Sequence, residues 1–310
     1  MLLTALLVVQ VLLGVGCSLR RVRPGSEFTL VSYNVHNLFD DRSDGTEFSG
    51  YRPGQDAWGS VEFHAKAERT ADALRRSVRG NYPDVVALQE IENEHALEVM
   101  VGEYMTRSGY RWFVMPPRSG GAFRVAAVSR YPVRGARVHA LRYLDFVPRD
   151  ILEVALEVGG SELTLFVNHW PSRRSGAEET APLRNFVVTA LARRIDELLR
   201  RDAGAAVIVA GDLNMPPEEL EPVWPGPPLY NGWTQEQFPG SYHFRGSWSR
   251  IDQMLFSEAA HDGRFTLTGF AVVADEPFLD RYGAPRVWRP GTRGGYSDHL
   301  PLRATLRLNQ

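Results

Sequence analysis

Short apolar runs of strand length follow one another along this chain, separated by turn residues and by three stretches in which apolar positions recur at helical spacing. "FTLVSYNV", from Phe28, reads as a strand, and the stretch rich in Asp, Ser and Gly from Asp40 to Gly59 reads as a loop. Helical spacing runs through "FHAKAERTADALRRSV", after which Pro83-Asp84 opens the strand "VVALQE". "NEHALEVMVGEYM" predicts a second helix, followed by strand candidates "YRWFVM", "FRVAAVS", "ILEVALEV" and "ELTLFVNHW". Gly159-Gly160-Ser161 joins the last two as a hairpin, so that pair is expected to be antiparallel. The amphipathic helix "LRNFVVTALARRIDELLR" leads into "AVIVAGDLN", a Pro-rich loop from Met215 to Pro228, "RIDQMLFS" and a closing strand "LRATLRL". Hairpins mixed with helical crossovers predict an α/β (α+β) domain with two mixed sheets and outer helices, not a purely parallel sheet. Periodicity leaves the strand order open.

The N-terminus is different in kind. Leu2 to Gly16 carries no charge and is dominated by Leu and Val, yet it is shorter than a membrane span, which predicts a signal-peptide core. The chain's one cysteine, Cys17, follows at once, and "LGVGC" resembles a bacterial lipobox, in which a peptidase cuts before the Cys and its thiol is lipidated. Gly14 stands where Leu is usual, with Leu13 one position further back; no basic residue precedes the run, and Arg20, Arg21 and Arg23 follow it. A plain cleaved signal is the alternative. The expected organisation is a leader over 1–17 with lipidation at Cys17, and one domain over 26–310. The protein is expected to be exported to the cell envelope, either as a membrane-anchored lipoprotein or as a periplasmic or secreted protein, and to be a monomer. With a single cysteine, no disulfide forms within the chain.

Over 310 residues the net charge is only −2, which argues against a basic coat gripping long nucleic acid but leaves room for a small local basic site. The chemistry collects at the ends of the strand candidates: Asn34 and His36, Glu90, Asn168 and His169, Asp212 and Asn214, Asp252 at a strand start, and Asp298 and His299 ahead of the last strand. Such termini converge on one cleft in α/β folds. Each residue also has a structural reading. Glu90 suits a helix N-terminus, Asp212 an Asx-turn with Asn214, Asn34 a turn, His169 a packed imidazole beside Trp170, and Asp252 an ion pair with Arg250. The joint pattern favours chemistry.

In the order "SYNVHNLFD", "LQEIEN", "VNHWPSR", "GDLN", "RIDQML" and "SDHLP", these segments resemble the endonuclease/exonuclease/phosphatase superfamily, with the fold of pancreatic-type deoxyribonuclease, from about Phe28 to Leu308. "NVHNLFD", "NHWPSRRSG" and "GGYSDHLP" resemble a bacterial, often exported branch. The resemblance implies a four-layer sandwich of two packed mixed β-sheets flanked by helices, and phosphate-ester hydrolysis assisted by a divalent cation. It implies Glu90 as principal metal ligand beside Asn34, with Asp298 adding to the metal or positioning its neighbour. Mg2+, with Mn2+ as an alternative, suits such a small set of oxygen ligands. It also implies Asp212 as the residue that orients or deprotonates the attacking water, Asn214 as a phosphate contact, His299 as a phosphate donor partnered by Asp252, and His169 as a second active-site imidazole. Asn168, Arg173 and Arg184 are further phosphate or substrate candidates, since guanidinium forks match phosphate oxygens. Trp58, Trp233 and Trp248 read either as base-stacking surfaces or as loop anchors. The substrate expected is nucleic acid, DNA or RNA, weakly bound outside the site. Phospholipid or inositol phosphate is the alternative, and a non-catalytic module that keeps the fold is the second.

Overall fold

The long strand β1 (Glu27–Leu38) and the strand β2 (Val85–Ile91) lie parallel in the computed structural model, joined by the crossover helix α1 (Ser60–Ser77). The structure describes residues 23–118, 121–292 and 294–310, with the backbone alone of 3–6 and 10–11. Cys17 and the expected lipobox lie outside the described residues. Helix α1 is amphipathic and buries Phe63, Ala67, Ala71 and Leu74. Helix α2 (Glu94–Val99), capped by Asn93 accepting the Ala96 N–H at 2.9 Å, continues as a wider π turn to Tyr104. The chain then runs through β3 (Trp112–Val114), β4 (Arg124–Ser129), β5 (Val133–Ala140), β6 (Ile151–Val158) and β7 (Ser161–His169). A second crossover, α3 (Ala181–Arg201), leads to β8 (Ala206–Asp212), parallel to β7. The remaining strands are β9 (Tyr230–Asn231), the hairpin β10 (Tyr242–Phe244) and β11 (Ser247–Ser249), β12 (Asp252–Phe256), β13 (Phe265–Val272) and β14 (Leu302–Leu308).

These strands form two mixed sheets of six, ordered β13-β14-β1-β2-β4-β3 and β5-β6-β7-β8-β12-β9; Leu3–Leu6 and Gln10–Val11 add an edge strand beside β5 and β3. Each sheet has one parallel pair at its centre, β1/β2 and β7/β8, with antiparallel neighbours outside. One core joins the sheets to each other and to α1, through residues such as Leu88, Ala126, Leu165 and Met254. A second packs α3 on the outer face of the β5–β9 sheet, through Val188, Leu191, Ile195, Phe166 and Val209. Helix, sheet, sheet and helix therefore stack as the four layers expected. Among the described residues no helix is long and apolar enough to cross a membrane.

Besides the two- and three-residue β9, β10 and β11, two eight-residue strands escape the periodicity. Both β5 and β13 contain a glycine at a register shift, Gly135 and Gly269, and a bulge there breaks the alternation that marks a strand.

Helix α3 is also tied electrostatically. Arg194 grips Glu153 on β6 through Nε and Nη2, at 2.8 and 2.7 Å, and His139 on β5 meets the same carboxylate at 2.6 Å. Burial alone would raise Glu153, but Arg194 and His139 outweigh it and hold the carboxyl at about 2. A folded value below the ordinary 4.5 stabilises the protein above that pH and ceases to do so as pH falls toward 2. Urea unfolding should accordingly find wild type more stable than Glu153→Gln at neutral pH, with the gap closing through that acid interval; a gap independent of pH would contradict the ion-pair account.

Candidate functional site

The carboxyl ends of both parallel pairs open at the same edge of the sandwich. Registers set the neighbours: Asp212 ends β8 beside His169 on β7 and opposite Asp252 at the start of β12. In the other sheet Asn34 pairs beside Gln89, and the register then shifts before Leu38 meets Ile91. That irregularity aims Glu90 into the cleft. Its φ is +64°, and His36 and Asn37 stand at +57° and +61°, left-handed values costing roughly 1–3 kcal/mol each for residues with a side chain. Hydrogen bonds offset part of this, since the Asn37 N–H donates to Glu90 Oε2 at 2.9 Å and the His36 N–H to Asn34 Oδ1 at 3.0 Å.

The Asn34 amide joins the two sheets, its Nδ2 donating to Glu90 Oε1 at 3.2 Å and to Asp212 Oδ2 at 3.0 Å. Asp212 also accepts the Asn214 N–H at 2.9 Å through Oδ1, in the Asx-turn its sequence suggests, while Asn214 Nδ2 donates to the Trp170 carbonyl at 3.2 Å. Across the cleft His299 Nδ1 lies 2.8 Å from Asp252, which also accepts the Ser241 hydroxyl, and His299 Nε2 faces Asp212 and Asp298 at 3.9 and 4.0 Å. His169 Nε2 stands 3.6 Å from Asp212 and 3.9 Å from Glu90; its buried Nδ1 has no partner among the described residues. The structure thus brings Asn34, Glu90, His169, Asp212, Asn214, Asp252, Asp298 and His299 into one cluster.

Protonation follows from this crowding. Burial pushes the Asp212 carboxyl up, and Asp252 and Glu90 add to it against the pull of His299. For His299 burial opposes the charged ring, but Asp252, Asp212 and Asp298 outweigh it and raise the imidazole well above its usual range. Burial drives His169 the other way, helped by the Arg149 charge, so that ring is neutral. Asp298 is held below the usual carboxylate range, because His36, His299 and Lys66 overcome its desolvation.

Four carboxyl groups therefore share the cleft with one charged imidazole and Lys66, whose ammonium burial pulls down to about 7 against the attraction of Asp298 and Glu90. This donor set fits a hard divalent cation. Asp212, Asp252 and His299 present ligand atoms within 4.8 Å of one another, but Asp252 and His299 already satisfy each other. Glu90 and Asp298 act together on Lys66, His36 and Tyr51, and they leave the more open carboxylate pair.

The structure turns two of the expected phosphate contacts away and ties the third to a partner. Asn168 is fully buried, its Nδ2 donating to the Phe166 carbonyl at 3.1 Å and its Oδ1 accepting from Trp170 Nε1 at 3.0 Å. Arg184 braces the loop before α3 through Thr180 Oγ1 at 2.7 Å and the Ala177 carbonyl at 2.6 Å, since a buried guanidinium must find local acceptors. Arg173 pairs at the surface with Glu219 at 2.9 Å. Arg149 reaches the cluster, on the Trp170 carbonyl at 3.2 Å, and the Arg174 charge also acts on His169. Trp58 and Trp233 are anchors, donating to the carbonyls of Asp40 and Asp252 at 2.6 and 2.9 Å, and Trp248 packs edge-on against Phe238.

Lys66, Arg149, Ser241, Tyr242 and Ser297 belong to the site without having been singled out from the sequence. Lys66 donates to the carbonyls of Val35 at 2.6 Å and Tyr296 at 2.8 Å, so it clasps the segments that carry Asn34 and Asp298. A signal existed: it is the chain's only lysine, on the apolar stripe of α1. Ser297 donates to the Asn34 carbonyl at 2.7 Å and receives the His299 N–H at 3.0 Å. The Tyr242 ring covers His299, centroids 4.7 Å apart.

The family described as Endonuclease/Exonuclease/phosphatase family matches residues 29–307. No curated protein matches the sequence. Among solved structures the chain is similar to truncated Caenorhabditis elegans TDP2, with TM-score 0.61 and 18% identity over 92% of this chain and 98% of that one. It is similar to D. rerio TDP2 complexed with a single-strand DNA product, with TM-score 0.61 and 18% identity over 91% and 99% of the two chains. A family protein from Bacteroides thetaiotaomicron gives TM-score 0.61 and 17% identity over 92% and 98%. At these identities the likeness is one of fold.

Gly211 supports the cluster from behind: its φ is +144°, and a Cβ would lie 2.0 Å from the Asn168 carbonyl oxygen. Gly211→Ala should cost on the order of 3 kcal/mol in urea unfolding; wild-type stability in that variant would contradict the close approach of β7 and β8.

Proposed function

We propose that this chain, which belongs to the endonuclease/exonuclease/phosphatase family, is an exported phosphodiesterase that cleaves nucleic acid with a divalent cation. The observation that carries the chemistry is the pairing of an up-shifted carboxyl, Asp212, with a charged imidazole, His299, whose Nε2 stands 3.9 Å from it. Hydrolysis of a phosphodiester needs a base for the attacking water and donors for the oxygens on which charge develops. Asp212, oriented by the Asn214 N–H, takes the water proton. His299, with Nδ1 held by Asp252, directs Nε2 toward a phosphoryl oxygen. The neutral His169 ring adds a second nitrogen between Asp212 and Glu90. Glu90, Asn34 and Asp298 would hold the cation, Mg2+ or Mn2+. A divalent cation held there supplies Lewis acidity at the phosphoryl and leaving oxygens.

For the substrate class, the supporting feature is an aromatic step beside His299. Phe244, 57% exposed, lies nearly parallel to Tyr242 at 12°, with Arg245 over its ring, and such faces stack bases without regard to sequence. The DNA product in the D. rerio relative agrees with this reading. A phospholipid or inositol-phosphate substrate is the second reading, favoured by the exposed Leu144, Phe146 and Val147 in the loop that ends at Arg149. Export rests on the uncharged leader from Leu2 and on Cys17.

The test is a panel of single- and double-stranded DNA, RNA, sphingomyelin and phosphoinositides, each with Mg2+, Mn2+ or chelator. Chelator-sensitive cleavage of polynucleotide is expected, with Glu90→Gln and His299→Ala each lowering kcat by about 10²–10⁴-fold while circular dichroism stays unchanged. Undiminished activity in either variant overturns the site assignment, and cleavage of lipids alone overturns the substrate class. Cys17→Ser should release the protein from the membrane fraction; retention there would contradict lipid anchoring.

A further inference from the structure

We propose that Asp44, Glu47 and Glu92 form a second cation site, separate from the catalytic cleft, which takes Ca2+ and ties the loop over residues 40–59 to the end of β2. Glu92 stands immediately after β2 and is only 3% exposed. Its Oε2 accepts the Asp40 N–H at 2.7 Å, while its Oε1 is buried without a partner among the described residues. A buried carboxylate oxygen lacking a donor is costly and calls for a cation or hydrogen-bonding group beside it.

What stands over Glu92 is more negative charge. Ligand oxygens of Asp44, Glu47 and Glu92 all lie within 4.8 Å of one another. The turn that carries the first two is well built: Asp44 Oδ1 accepts the Thr46 N–H and hydroxyl at 3.1 and 2.7 Å, and Glu47 accepts the N–H groups of Asp44 and Gly45. Arg118 forks onto Asp44 at 2.9 and 3.1 Å and neutralises one carboxylate of the three. The neighbouring Arg124 is turned to the carbonyls of Glu92 and Pro116, at 2.9 and 3.2 Å, and leaves the carboxylates alone. Glu47 and Glu92 have no ion-pair partner among the described residues, and burial, with the charges of Asp40, Asp44 and Glu47, pushes the Glu92 carboxyl up to about 8, so a cation bound here takes the place of its proton.

Whereas Mg2+ demands a near-ideal octahedron, Ca2+ tolerates the irregular geometry of carboxylates drawn from a turn and a strand end. Its place in the structure gives it a consequence. Asp40 accepts Trp58 Nε1 through its carbonyl, and Asn37 reaches both Tyr51, at 3.2 Å, and Glu90. A cation at Glu92 therefore fixes a loop that borders the catalytic carboxylate.

The experiment titrates CaCl2 by calorimetry into the full chain carrying Glu90→Gln and Asp212→Asn, which silences the catalytic cleft, with and without Asp44→Asn and Glu47→Gln in addition. Asp44 is exposed and Glu47 half-buried, so these changes leave the core untouched. One Ca2+ is expected to bind the parent and to protect Arg42 and Arg52 in the loop from trypsin. The added substitutions should weaken binding at least tenfold and abolish the protection. Absence of Ca2+ binding in the parent, or equal binding in both proteins, would overturn the proposal.

Discussion

Glu90 and Asp212 come from different sheets, yet a single amide, that of Asn34, lies within hydrogen-bond distance of both. Like charges brought together in a buried cleft repel, and the repulsion must be met by donors, by cations or by uptake of a proton. Every response is visible. Asn34 supplies the donor, His299 becomes the cation, and Asp212 is pushed toward keeping its proton. Lys66 adds a buried ammonium from beneath without touching a carboxylate, its hydrogen bonds going to the carbonyls of Val35 and Tyr296. What remains is a cleft still rich in carboxyl groups, with the up-shifted Asp212 facing a charged His299, and the phosphodiesterase reading rests on that pairing.

The fold makes the convergence affordable in conformational terms by keeping the site on strand ends. Two parallel pairs at the centres of two sheets put four carboxyl-terminal ends at one edge, and antiparallel β12 delivers Asp252 to the same place. At the site itself, left-handed backbone falls at or just beyond the last residues of these strands: His36, Asn37, Glu90 and Asn214 all have positive φ, as does Gly211. Rigid strands behind these residues hold conformations that a free loop would relax.

Much of this was legible in the sequence because apolar strands that end in Asn, Glu, His or Asp are conspicuous. Glu90, His169, Asp212 and His299 each break such a run, and the segments that hold them follow a familiar order. Side chains that act through tertiary contact alone were not legible. Arg149 shares its loop with Arg142, and nothing local distinguishes it from Arg173 or Arg184, whose partners are a surface glutamate and two loop oxygens. Strands β5 and β13 were hidden by bulges at Gly135 and Gly269, where packing overrides alternation. Lys66 was discoverable in principle, as a lone lysine on an apolar helix face.

The central claim is that this carboxylate cluster holds a divalent cation between the two sheets, and paramagnetic Mn2+ tests it directly. In protein labelled at its histidine rings, substoichiometric Mn2+ should broaden the resonances of His169 and His299 first. His261, stacked on Tyr230 beyond the far end of β12, should stay sharp, and Glu90→Gln should shift the broadening to higher Mn2+. Uniform broadening of all three rings, or none at His169 and His299, would contradict the account.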